Sequence, residues 1–133
     1  MTEYPYNLIP KDKLDVSTID RLFELSDAEM DLIVYDLLKW IQDMNWPVAG
    51  KIVDVLSNRH IILEPHIIKI LSAKQNDNIW KYWIIASLIS NLKDKPSYEI
   101  VSAIKRIAEH PTKNELAEEV DIVAKKVLFE LKS

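Results

Sequence analysis

The chain has 133 residues, 48% of them hydrophobic and 29% charged, with a formal net charge of −4. At that length one domain with its own core is expected over residues 1–133, because two halves would each bury too little apolar surface. A single glycine, Gly50, where average usage would give about nine, and the absence of cysteine exclude glycine-rich phosphate loops, dinucleotide turns, nucleophile elbows, disulfides, thiolate metal sites and cysteine nucleophiles.

Residues 1–14 read as an extended lead-in, with Pro5 and Pro10 against helix and Leu8-Ile9 as an apolar anchor. Lys11, Asp12 and Lys13 are placed to tie it to the first helices by ion pairs, which are weak when exposed. Nothing in MTEYPYNLIPKDKLD resembles a basic start followed by an apolar run, so no secretory signal is read and the expected location is the cytoplasm. Ser17 is the expected cap of a first short helix bearing Ile19, Leu22 and Phe23. Ser26 and Glu29 form a Ser-x-x-Glu capping box. The helix they open carries Met30, Ile33, Val34, Leu37, Leu38 and Ile41 on one face and stops near Asp43.

Asn45 is the expected cap of the next helix, 46–57, with Pro47 in its first turn. Its inward residues are Val48, Ala49, Ile52, Val53 and Leu56. Gly50 lies inside it at a cost near ~1 kcal/mol relative to alanine, which predicts a close-packed neighbour. Glu64-Pro65 predicts a helix over 65–72, and Asp77 caps one over 78–92. Apolar side chains cover nearly every direction of that last segment, so it is expected at the centre of the domain, buried on most sides. Pro96 opens a helix to Glu109, with Ile100, Ile104, Ile107 and Ala108 inward. Thr112 and Glu115 form a second capping box. It starts a terminal helix, 113–131, with Leu116, Val120, Val123, Ala124, Val127 and Leu131 inward. No segment alternates like a strand, and no apolar run approaches the ~20 residues that span a bilayer. The class is therefore all-α, with about seven helices.

After the first, these helices pair: 27–43 with 46–57, 65–72 with 78–92, and 97–109 with 113–131. Ala49-x-x-Ile52, Ala86-x-x-Ile89 and Ala124-x-x-Val127 recur in the second members at spacings of 37 and 38. Period and content fit HEAT-like helix pairs in a short right-handed α-solenoid, preferred over a closed bundle. The segments LIPKDKLD (8–15), QDMNWP (42–47), IWKYW (79–83) and HPT with EEVD (110–121) resemble the bacterial domain-of-unknown-function family 5071. That resemblance implies a small all-helical, HEAT-like domain over nearly the whole chain. It implies no activity and assigns no residue a role.

Charge is uneven. Residues 1–45 hold ten carboxylates against four cations, which disfavours nucleic acid as a partner. A basic stripe from Lys51, Lys81, Lys105 and Arg106 is the pattern nucleic-acid binding would need. The candidate binding groove consists of Asp43, Asn45, Trp46, Trp80, Lys81, Tyr82 and Trp83. Trp46 and Trp80 are expected as neighbours if second-position helices line one surface, because aromatic residues anchor partners there. The competing reading puts the four tryptophans, Trp40 included, in the core, and makes Asp43 and Asn45 helix caps. Asp43 is also positioned to pair with Lys81 across the stack.

His60, His66 and His110 have no metal-ligand spacing. Glu115, Glu118, Glu119 and Asp121 read as a solvated, dipole-favoured face. No catalytic residue, metal or cofactor is expected. The reading that follows is a non-enzymatic domain binding a protein or peptide, with no membrane association. An inhibitor or immunity-type protein directed at a basic toxin, a nucleic-acid-binding HEAT-like domain, and an enzyme without a recognisable motif are the alternatives.

Overall fold

The computed structural model describes residues 3–132. Among them are eight α-helices and no strand. The lead-in is not wholly extended: Tyr6–Leu8 form a 3₁₀ turn that places Leu8 in the core. The Thr18 hydroxyl donates to the Leu8 carbonyl at 2.6 Å and ties this turn to α1, Ile19–Phe23. Ser17 is not the cap; its hydroxyl donates to the Asp15 carboxylate instead. Lys11, Asp12 and Lys13 form no ion pair among the described residues. The tie is made by backbone, with the Lys13 carbonyl accepting from the Val48 N–H at 3.0 Å. This satisfies a donor that the first turn of a helix leaves open.

Helix α2, Asp27–Leu38, opens on the expected capping box and runs into a 3₁₀ turn at Lys39–Ile41. All six residues of its apolar stripe are fully buried. Helix α3, Pro47–Leu56, is capped by Trp46, not Asn45. Asn45 is exposed, and its N–H donates to the Asp43 carboxylate at 2.8 Å. Gly50 is exposed too, and a β-carbon there would meet nothing within 4 Å. The close neighbour expected of it does not exist.

Helix α4, His60–Ile70, begins before Glu64 and carries Pro65 inside it. Proline cannot donate back to the Ile61 carbonyl, but Ile61 is 75% exposed, on the solvent side of the helix, where an unpaired carbonyl costs little. Arg59 sets where the helix starts: its guanidinium donates to the Asp27 carboxylate and to the Leu25 and Phe23 carbonyls. Helix α5, Asn78–Trp83, is capped by Asp77, which accepts from the Trp80 N–H at 2.9 Å. The chain continues through a π turn at Ile84–Leu88 and a 3₁₀ turn at Ile89–Asn91. This stretch is buried on most sides, although Ile79 is half exposed.

Helix α6, Tyr98–Glu109, is opened by the Ser97 hydroxyl rather than by Pro96. The expected last helix is two: α7, Lys113–Ala117, and α8, Val120–Leu131. Glu119 sits between them in the left-handed region, at φ 59°. The break turns Leu116, expected inward, out to solvent.

Packing follows two rows. Helix α4 lies between α2 and α6, while the π turn after α5 lies between α3 and α8. Helix α8 also packs along α6, and α1 covers α3. One continuous apolar core runs from Leu8 to Val127. Among the described residues no helix is long and apolar enough to cross a membrane.

Candidate functional site

The candidate residues do not gather into one surface. Trp46 packs edge-on against Trp40, ring centres 5.6 Å apart, at the corner between α2 and α3. Trp80 is buried and its indole N–H donates to the Leu38 carbonyl at 3.0 Å. Its ring neighbour is Tyr35, not Trp46. The tryptophans thus divide between core and surface: Trp80 is core, while Trp40, Trp46 and Trp83 are half-buried against it. Asp43 closes a local turn by accepting from the Asn45 N–H, caps no helix, and meets no lysine among the described residues.

Lys81 turns inward. Its ammonium donates to Glu115 at 2.7 Å, and neither side chain has any surface open to water. Arg106, 29% exposed, clamps the same carboxylate through both terminal nitrogens, and one of these also donates to the Leu71 carbonyl at 2.8 Å. The Thr112 N–H completes the carboxylate's bonding at 2.8 Å. Burial by itself would raise the Glu115 carboxyl. The Arg106 and Lys81 hydrogen bonds outweigh that and lower it to about 2. Glu115 is therefore not part of a solvated face, and Asp121 is buried as well. Lys81 and Arg106 are both committed to Glu115, which removes two of the four members of the basic stripe.

This network escapes a reading by helical periodicity, but one sign of it is in the sequence. A lysine inside a segment apolar in every direction needs a buried carboxylate. The glutamate of a Thr-x-x-Glu box is a carboxylate already held at a fixed place.

One of several openings to solvent is a groove between the 78–91 stretch and α8, about 250 Å³ in volume. Tyr82, Ala86, Ile122, Val123 and Val127 form its apolar lining, with Ser90, Glu119, Lys126 and Glu130 around them. Tyr82 is the one residue of the expected groove that lines it. Trp83 stands behind Tyr82, ring centres 5.1 Å apart and planes at 89°. The π turn matters to the groove's shape, because an i→i+5 turn widens the helix locally and Ala86 lies within it. Ile122 is 58% exposed. It lies off the inward stripe of α8, which is why periodicity passed over it.

The sequence profile of a family described as Domain of unknown function (DUF5071) matches residues 8–128. A comparison with curated proteins finds no match.

Proposed function

The chain belongs to the DUF5071 family, and from that premise we propose that it is a non-enzymatic helical-repeat domain that binds a protein or peptide segment in the groove between residues 78–91 and α8. The two packed rows are read as HEAT-like pairs in a short right-handed solenoid: α2 with α3, α4 with 78–91, and α6 with α8. Stacked pairs of this kind present their second helices as one extended surface. The recurring Ala-x-x-aliphatic positions all fall in that second row.

The groove is the observation that carries the reading. Tyr82, with Trp83 packed against it, and Ala86, Ile122, Val123 and Val127 give it an apolar lining, beside the charged Glu119, Lys126 and Glu130. Apolar contact area next to charged groups is what a partner segment needs for burial and for specificity. The fitting segment carries one apolar anchor for the space beside Tyr82 and Ile122, and a basic residue near it for Glu119 or Glu130. A non-enzymatic role is supported by the structural work the shifted carboxylates do: Glu115 neutralises the buried Lys81 and holds the partly exposed Arg106, and Glu29 closes a capping box.

The test is affinity capture from cell extract with wild type, Ala86→Glu, Ile122→Asp and, as a control on the other row, Leu32→Asp. Circular dichroism first establishes that all four are folded. A protein retained by wild type and Leu32→Asp but lost from both groove variants supports the proposal. Equal capture by all four sinks it.

A further inference from the structure

We propose that a second site, the pocket bounded by α2, α4 and the 71–77 turn, binds a small planar aromatic anion, meaning a flat ring that carries one phosphate or carboxylate group. The pocket holds about 420 Å³ and is lined by Tyr35, His66, Lys69, Ile70 and Gln75, which is within the usual range for small-molecule sites. It shares no lining residue with the groove and does not depend on that reading.

The pocket has an aromatic platform. Tyr35 is 43% exposed, and its ring is held by neighbours on two sides. Trp80 meets it edge-on at 6.1 Å and His66 lies tilted at 6.0 Å. Trp80 is in turn fixed through its indole N–H on Leu38, so the platform is anchored to the core.

Around the platform stand donors without acceptors. The Lys69 ammonium and the His66 ring nitrogens have no hydrogen-bond or ion-pair partner among the described residues. The Gln75 carbonyl oxygen already accepts from the Asp77 N–H at 3.0 Å, which leaves its NH₂ group as the free end. The Lys39 ammonium lies over the Tyr35 ring, 5.0 Å from its centre, and already pairs with Asp36 at 3.5 Å, so it is not one of the free donors. No carboxylate lines the pocket, although the chain as a whole is acidic. A ligand complementary to this set supplies a π face for Tyr35 and an anionic acceptor for Lys69, His66 and Gln75.

The experiment is an NMR titration of the full chain with phenyl phosphate and, separately, benzoate, which share one ring. Phenol and inorganic phosphate are the partial probes. The expected result is saturable shifts at Tyr35, His66, Lys69 and Gln75 with a dissociation constant below about 1 mM for at least one anion. Which anion binds tells phosphate from carboxylate. Lys69→Ala is expected to weaken that binding about tenfold, the effect of losing one charge-assisted bond, and Tyr35→Leu to weaken it further. Both positions are open to solvent, and a matching amide spectrum establishes the fold. Should Lys69→Ala unfold, Lys69→Gln replaces it, and should Tyr35→Leu unfold, Tyr35→Met replaces it. Failure of both anions to bind, equal binding by phenol or phosphate alone, or unchanged affinity in the variants overturns the proposal.

Discussion

Lys81 and Glu115 meet at 2.7 Å in a space from which water is excluded for both side chains. They join α5 to α7, and Arg106 brings α6 to the same point. A buried pair adds little net stability, yet removing one partner strands the other at a cost of roughly 3–5 kcal/mol. The partners are unequal here. Glu115→Gln leaves two cations facing a neutral amide, so a loss in that range is expected. Lys81→Met leaves the Arg106 clamp on Glu115 and fills the same volume, so its loss should be distinctly smaller. Urea denaturation of the two variants checks this. Equal losses would show that the Arg106 clamp does not compensate for Lys81.

The same carboxylate sets an acid limit. Glu115 titrates at about 2 when folded against 4.5 ordinarily. A lowered folded pKa means stability fully present above about pH 4.5 and lost as pH falls toward 2. The contribution is on the order of 3 kcal/mol. Urea midpoints for wild type should drop steeply across that window, and those of Glu115→Gln should drop less. Asp15, also lowered to about 2 by the Ser17 hydroxyl and the backbone N–H groups of Lys11 and Ser17, is only partly buried, in a surface turn where solvent screens its charge, and is expected to add little to the slope. Parallel slopes for the two proteins would place the acid sensitivity elsewhere.

Apolar spacing and cap chemistry made most of the helices legible. The α2 and α6 stripes and both capping boxes follow from local rules, and all are present. Features decided by distant residues were not legible. Helix α4 starts where Arg59 reaches back to Asp27 and Leu25, across more than 30 positions that no local pattern spans. The split at Glu119 has no glycine or proline to announce it. Of the expected groove, Tyr82 was read in its place. Trp46 was not, because the corner of α2 and α3 folds it onto Trp40 and away from the 78–91 stretch. Lys81, which the sequence places in the groove, in the basic stripe and opposite Asp43, turns inward instead. Its carboxylate partner lies 34 residues on.

Gly50 offers a test that separates sequence expectation from structure. Close packing against the glycine predicts that a methyl group there destabilises the protein. The structure shows an exposed helix interior with open space where that methyl would sit. Gly50→Ala is therefore expected to stabilise the protein by about 1 kcal/mol, the helix-propensity difference. A thermal melt reads the sign directly, and a lowered midpoint would mean that something packs on this face.

Trp80 tests the core reading of a residue that sequence left open between core and groove. Trp80→Phe keeps an aromatic ring but deletes the donor to the Leu38 carbonyl, leaving that oxygen buried with one fewer partner. A loss of roughly 1–3 kcal/mol is expected from the unmade bond, with added cost from the smaller ring. Chemical denaturation measures it. A loss within about 0.5 kcal/mol, typical of surface positions, would contradict a buried indole.

Glu119 lets stability and binding be moved in opposite directions. It stands at φ 59° between α7 and α8, a conformation that costs a residue with a β-carbon roughly 1 kcal/mol or more and costs glycine nothing. Glu119→Gly should therefore raise the unfolding midpoint, the backbone relief outweighing the extra freedom glycine gives the unfolded chain. The same side chain is at the rim of the groove, where it is proposed to face a basic residue of the partner. Rim charges act mainly through encounter, so its removal should slow association and reduce the salt dependence while dissociation changes little. A variant that is more stable yet captures its partner more slowly at low salt would locate the contact at this rim. A variant that is more stable and captures at the same rate at every salt concentration would remove Glu119 from the interface and move the basic contact to Glu130.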